Sequence, residues 1–183
     1  VVYVPYDAMP PTIRAGYENV ENDLENFQSD LPAAPIDFIR TELEQKYVWT
    51  INGKTQVGDT PPEGVKARHL VVKEITGRKN GIDYSGDVPK YVTLDNPSRT
   101  SMISSYQNGE ESKAGPIDVL IINSAVATGI SLHASVDAFD QRPRHMIVLQ
   151  PHGDISVFIQ LLGRIHRTGQ VEWPSFTMLA TGI

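Results

Sequence analysis

The chain contains 183 residues, of which 40% are hydrophobic and 21% charged, a composition typical of a globular protein with one sizeable core. It has no cysteine, which excludes disulfides and thiolate metal sites. It has no run of about 18 apolar residues, which excludes a membrane-spanning helix, and no membrane partner is expected. The net charge is −6, but the first 50 residues carry nine acidic and three basic side chains, so the remainder is balanced and has room for a basic cleft.

The N-terminal part of the chain predicts a strand and two helices. The chain begins with Val1 rather than Met, so we expect an excised or processed piece of a longer protein. The apolar run over residues 1–6 predicts a short strand. Apolar side chains at helical spacing predict a helix over 12–30 with an acidic outer face, and two prolines separate it from a second helix over 36–47.

A β-hairpin is predicted next. Residues 48–51 and 54–57 flank Asn52-Gly53, the pair most typical of a two-residue hairpin turn. The adjoining Gly53-Lys54-Thr55 is similar to the end of a phosphate-binding P-loop, but that motif requires glycine where Val48 stands. No apolar strand ends in an Asp-Glu pair that could hold magnesium. The chain therefore lacks the half of an NTPase that carries the P-loop and the magnesium-binding acids.

A second strand, over residues 68–75, ends at Thr76-Gly77-Arg78. Glycine after a parallel strand lets backbone amides approach an anion, and the arginine adds positive charge. An ordinary turn is the alternative explanation. A loop over 79–89, an edge strand over 90–94 and a helix over 95–108 follow.

Small polar residues follow the next strand. The apolar run over 117–122 predicts a buried parallel strand, and it leads into the segment 123–133, which contains Asn123, Ser124, Thr128, Gly129 and Ser131. Open α/β sheets place ligands at the carboxyl ends of such strands. A tight turn that needs small side chains is the alternative.

The last third of the chain predicts a strand over 145–149 and an amphipathic helix over 154–167 with Asp154 as its N-cap. Gln160, Arg164 and Arg167 then lie together on the face opposite the apolar stripe. Two arginines one turn apart suit a polyphosphate, and a solvated helix face is the alternative. The five histidines show no ligand-like spacing with acidic residues, so no metal site is expected.

These motifs carry a resemblance to a known family. The pattern Gln160-x-x-Gly163-Arg164-x-x-Arg167, with His166 inside it, resembles motif VI of superfamily 2 helicases and translocases, and 123–133 looks like motif V. Thr76-Gly77-Arg78 and the run 141–145 make the strawberry notch type, with its phage and bacterial relatives, the most similar. Residues 168–170 are nearer to Swi/Snf-type ATPases, and the hairpin region 48–67 has no counterpart and is taken as an insertion.

The resemblance implies a fold and an activity. The expected fold is α/β, a RecA-like three-layer sandwich with a mostly parallel central sheet flanked by helices, and residues 1–183 would be one second RecA-like domain. ATP would bind between this domain and an absent N-terminal P-loop domain, which would hold Mg²⁺. We expect DNA or RNA backbone as the other partner, and a domain that is inactive alone.

The resemblance also assigns roles to residues. Arg167 would be the arginine finger, Arg164 would bind the same phosphates or order the interface, and Gln160 would position the pair. Residues on the ATP side would be Gly129, Ser131 and Gly163; residues on the nucleic-acid side would be Thr76, Gly77, Arg78, Asn123, Ser124 and Thr128. The alternatives are a non-catalytic interaction module and the motor of a restriction or Swi/Snf-type translocase. The expected location is the cytoplasm of a bacterial or phage-infected cell, or the nucleus of a eukaryote.

Overall fold

The computed structural model describes residues 6–25, 32–94, 97–113, 115–123 and 129–179. The chain divides into two compact units, Val1–Pro35 and Ile36–Ile183. In the first unit a short 3₁₀ helix, Tyr6–Ala8, precedes helix α1, Pro11–Glu25. The strand predicted over 1–6 lies outside the described residues except for Tyr6, which begins the 3₁₀ helix instead.

The second unit begins with helix α2, Pro35–Glu44, and a three-stranded antiparallel sheet. Its strands are β1 (Tyr47–Ile51), β2 (Lys54–Gly58) and β3 (Ala67–His69), in the order β2-β1-β3. The predicted hairpin is confirmed, because Asn52 and Gly53 both have positive φ, 51° and 73°, as a tight two-residue turn requires.

Two pairs of parallel strands follow. Strand β4 (Val72–Ile75) pairs with β7 (Val119–Ile122), and β8 (His145–Val148) pairs with β9 (Ser175–Met178). The described strands form four separate sheets, so the α/β class is confirmed, whereas one continuous central sheet is not present among these residues.

The loop predicted over 79–89 is partly wrong. Strand β5 (Asn80–Asp83) pairs there with β6 (Lys90–Thr93) in an antiparallel ladder. Glycine and aspartate made this segment look irregular, but the buried carboxylate of Asp37 accepts a hydrogen bond from the Ile82 amide and fixes the strand. A tertiary contact thus overrides weak local strand propensity.

Two further helices follow. The second begins at its predicted N-cap, whereas the first begins at Arg99 rather than at the predicted residue 95. Helix α3 (Arg99–Asn108) begins after Ser98, whose side chain accepts a hydrogen bond from Ser101 N. Helix α4 (Ile155–Leu162) begins after Asp154, which accepts from Ser156 N and Val157 N. None of the described helices is long and apolar enough to cross a membrane.

Helix α4 ends five residues earlier than predicted. Gly163 caps it, and the carbonyl oxygen of Arg164 accepts a hydrogen bond from Leu132 N at 2.8 Å, so the chain turns towards the segment after β7. Ile155, expected to face inward, is exposed, whereas Ile165 is buried. The helical periodicity therefore does not extend to the two arginines.

Three apolar clusters form the core of the second unit. They link the sheets to α2, α3 and the turn after α4, and their buried members are Val48, Leu70 and Val72; Ile75, Met102 and Ile117; and Ile130, Leu132 and Ile165. The third cluster anchors both predicted motifs in the core.

Candidate functional site

Backbone hydrogen bonds join the segment after β7 to the segment after α4. Leu132 N donates to Arg164 O at 2.8 Å, and Val136 N donates to Gly169 O at 3.0 Å. The two sequence motifs that were predicted to act together are therefore in direct contact. Because backbone groups make this contact, its geometry is fixed independently of most side chains.

Arg164 lies inside this junction. It is 8% exposed, and its Nη1 donates to the carbonyl oxygen of Ile130 at 3.1 Å. Its buried Nε has no hydrogen-bond partner in the described part of the chain. The expectation that Arg164 projects from an exposed helix face together with Arg167 is thus wrong, because the helix ends before it and its guanidinium turns towards the predicted motif V.

Arg167 has the opposite environment. It is exposed, its backbone N donates to Gln170 Oε1 at 2.8 Å, and its Nε donates to Gly163 O at 3.3 Å. Within the described residues neither Nη atom donates a hydrogen bond, so both remain available to a ligand. Gln160 is also exposed, on α4, and forms no hydrogen bond with Arg167.

Two of the residues predicted on the ATP side lie beside this junction. Gly129 is exposed, with φ of 76°. The Ser131 hydroxyl is 2.7 Å from His133 Nδ1, and Ser131 O accepts from Gln107 Nε2 at 2.9 Å. The pKa of His133 lies below its ordinary value, first because of burial and then because of the positive charge of Arg167.

Two of the residues predicted to bind nucleic acid, Asn123 and Thr76, are in contact. Asn123 Nδ2 donates to Thr76 O at 3.0 Å, which joins the carboxyl ends of the parallel strands β7 and β4 as expected. Gly77 follows in a left-handed conformation, with φ of 81°. Ser124 and Thr128 lie outside the described residues.

Arg78 faces inward. Its Nη1 and Nη2 donate to Asp37 at 3.1 and 2.8 Å, and its Nε and Nη2 donate to Glu74 at 2.8 and 2.6 Å. Burial alone would raise the pKa of both carboxyls. The hydrogen bonds and charge of Arg78, together with the Ile82 amide at Asp37 and the Thr76 hydroxyl at Glu74, outweigh burial and lower both pKa values. Both acids are buried, so Arg78 is held in a structural ion-pair cluster.

Comparisons with known proteins agree with these motifs. Residues 68–183 match the family model described as the C-terminal domain on Strawberry notch homologue. The chain belongs to this family of helicase-type domains. A search of solved structures finds no match.

The strawberry notch domain also aligns with curated animal proteins. It is 33% identical over 116 residues to Protein strawberry notch of Drosophila melanogaster, covering 61% of this chain and 7% of that protein. It is 31% identical over 110 residues to Protein strawberry notch homolog of Caenorhabditis elegans, covering 59% of this chain and 6% of that protein. It is 33% identical over 112 residues to Protein strawberry notch homolog 1 of Homo sapiens, covering 59% of this chain and 8% of that protein. The chain thus spans less than a tenth of each relative, and these animal proteins give no support to a phage or bacterial host.

A second ion-pair cluster lies around Asp118 and Asp140. Asp118 accepts from Arg68 at 2.6 and 3.0 Å and lies 3.5 Å from Arg142, which also pairs with Asp140. Arg144 is buried, and its Nη2 donates to Asp140 O at 2.8 Å. Arg142 and Arg144 are therefore paired, so they do not form the basic cleft that the sequence allowed.

Sequence reasoning missed the acids of both clusters. Asp118 stands at the start of an apolar run, and an acid in that position is a signal for a buried ion pair. Asp37 carries no such local signal, because its partner Arg78 is 41 residues away in sequence. Glu74 lies inside the predicted strand 68–75, four residues before Arg78. Among the described residues, no group of three His, Asp or Glu side chains is placed to hold a metal ion.

Proposed function

We propose that this domain is the second motor domain of an ATP-dependent nucleic-acid helicase or translocase, with Arg167 as its arginine finger. The observation that carries the proposal is the contrast between the two motif VI arginines. Arg164 is buried against Ile130, whereas Arg167 is exposed with two uncommitted Nη atoms on a turn held by backbone bonds. A rigidly presented guanidinium is what phosphoryl transfer requires of a finger.

Arg167 would stabilise the negative charge that develops on the γ-phosphate during hydrolysis. When water attacks the γ-phosphate of ATP, negative charge spreads over the phosphoryl oxygens, and a planar guanidinium can donate two parallel hydrogen bonds to them. The main-chain bond to Gln170 and the Nε bond to Gly163 leave the terminal nitrogens pointing to no other described group. The residues present therefore fit a polyphosphate, and Arg164 would hold the junction rather than touch ATP.

A P-loop domain would supply the remaining groups. It would bind the triphosphate and Mg²⁺, and it would face Arg167, Gln160, Gly129 and Ser131. Ile155 and Ile159 are exposed apolar side chains one turn apart on α4, and they would be available to pack against such a domain. The parallel pairs β4–β7 and β8–β9 would belong to the central sheet of a RecA-like fold.

The experiment compares ATP hydrolysis by full-length protein, with a P-loop domain, in the presence and absence of DNA. Arg167→Ala should lower kcat by about 10³-fold or more while nucleotide binding is retained. The matched control is Arg99→Ala, which removes another exposed arginine, at the start of α3, and should leave kcat unchanged. Unchanged hydrolysis in Arg167→Ala would contradict the finger role.

The alternative is a non-catalytic interaction module. Its supporting observation is the exposure of Trp173 (78%) and Phe139 (75%), large apolar side chains of a kind enriched at protein interfaces. This alternative predicts no DNA-stimulated hydrolysis in the wild-type protein. A restriction or Swi/Snf-type translocase would use the same motor chemistry, and strand-displacement and translocation assays on the full-length protein would separate it from a true helicase.

A further inference from the structure

We infer that the turn after β4 binds nucleic-acid phosphate through the Gly77 amide and the Lys79 ammonium, and that Arg78 is a positioning residue that fixes this turn. The inference rests on the proposed nucleic-acid binding and changes which residues perform it. The sequence analysis assigned that role to Thr76, Gly77 and Arg78 together, with the arginine as the source of positive charge.

The hydrogen bonds of Arg78 argue against a phosphate contact. All three of its guanidinium nitrogens donate to carboxylates, and the two acids involved, Asp37 and Glu74, are 0% and 3% exposed. A phosphate that recruited Arg78 would leave two buried negative charges without their main partner. It would also bring a third negative charge close to them, which electrostatics opposes.

The surrounding contacts fix the turn on both sides. Asn123 Nδ2 donates to Thr76 O at 3.0 Å, and Leu94 N donates to Lys79 O at 2.9 Å. The Thr76 hydroxyl donates to Glu74, so the same acid that binds Arg78 also holds the first residue of the turn. Arg78 therefore orders the turn through its neighbours.

Two donor groups on the turn, the Gly77 amide and the Lys79 ammonium, have no acceptor within the described residues. Gly77 is exposed with φ of 81°, and no heavy atom lies within 4 Å of the position a Cβ would take, so its backbone is accessible from that side. In the described part of the chain, Gly77 N donates to no acceptor, and the exposed Lys79 ammonium forms no ion pair. An amide and a flexible ammonium are both suitable donors to a phosphate oxygen.

The test measures how binding of a labelled oligothymidylate to the full-length protein depends on salt. Each phosphate neutralised on a single strand contributes about 0.7 to the slope of log K against log salt. Lys79→Ala should reduce the slope by about that amount and leave the thermal midpoint unchanged, whereas Lys79→Arg should restore it. Lys66→Ala, at another exposed lysine, is the matched control and should leave the slope unchanged.

Arg78→Lys provides the opposite test. It should lower the thermal midpoint, because lysine cannot replace the forked contacts to Asp37 and Glu74. The variant that remains folded should keep the wild-type slope of log K against log salt. An unchanged slope in Lys79→Ala, or a slope lost in folded Arg78→Lys, would overturn the inference. Wild-type protein that binds no oligonucleotide would instead overturn the proposed nucleic-acid role, and this inference with it.

Discussion

Arg164 donates a hydrogen bond to the carbonyl oxygen of Ile130 at 3.1 Å from a site where it is only 8% exposed. One residue of motif VI thus holds the backbone of motif V. Arg167, three residues further on, is exposed and turned away from the core. The two arginines of one short motif therefore have different physical roles, one in the stability of the junction and one at its surface.

Replacing Arg164 with alanine should lower the free energy of unfolding by about 1–3 kcal/mol, because a buried hydrogen bond to Ile130 is lost and a space is left. Urea unfolding of the 183-residue chain would measure this. Arg167→Ala is the matched control, and it should change the free energy of unfolding by less than about 0.5 kcal/mol. Equal losses in the two variants would show that Arg164 does not hold the junction.

The sequence predicted the local signals of the fold well. Asn52-Gly53 forms the predicted hairpin turn, and the predicted N-cap Asp154 accepts hydrogen bonds from the first-turn amides of its helix. These features depend on a few adjacent residues, so they can be inferred from the chain itself. The segments that resemble motifs V and VI, both expected on the ATP side, are in direct contact.

The orientation of the arginines could not be predicted in the same way. Helical periodicity placed Arg164 outside, but a backbone bond from Leu132, which is distant in sequence, ends that pattern. Arg78, in the turn after β4, faces inward because of Asp37, a residue on helix α2. Both outcomes depend on which long-range partner is present, and spacing in one segment carries no information about that partner.

Gly81 should tolerate no side chain, because a Cβ there would lie 2.9 Å from Asp37 Oδ1 and 3.0 Å from Leu94 Cδ2. Gly81→Ala is expected to lower the free energy of unfolding by about 1–3 kcal/mol by forcing these atoms apart. Gly86→Ala is the control, since no atom lies within 4 Å of its Cβ position, and it should be neutral or slightly stabilising. Thermal unfolding of both variants would measure the difference, and a stable Gly81→Ala would mean that the Asp37 cluster can shift at little cost.

Asp118 should make stability depend on acid pH. Burial alone would raise its pKa, but the hydrogen bonds from Arg68 and the Val71 amide, together with the positive charges of Arg68 and Arg142, outweigh burial and lower it. A lowered pKa in the folded state gives stability that is present above the unfolded value of about 4 and is lost as pH falls through the folded value. Asp118→Asn should therefore cost about 1–3 kcal/mol at pH 7, a difference that shrinks below about pH 4.

Urea unfolding at several pH values would measure the Asp118 effect. Asp137→Asn serves as the control, because Asp137 is exposed and forms no ion pair in the described part of the chain. A penalty for Asp118→Asn that stays constant from pH 7 to the acid range would contradict the ionic origin of the effect.

His133 should report the charge state of the motif VI turn. Its pKa is lowered first by burial and then by the positive charge of Arg167, so Arg167→Ala should raise it, and bound ATP phosphates near Arg167 should raise it as well. NMR titration of the histidine Cε1 protons would follow this change, with His133→Gln used to assign the signal. Arg99→Ala is the control and should leave the pKa of His133 unchanged. If Arg167→Ala also left the pKa of His133 unchanged, the Arg167 guanidinium would not lie close enough to His133 to act on it. That result would contradict the proposal that Arg167 and Ser131 face the same bound ATP.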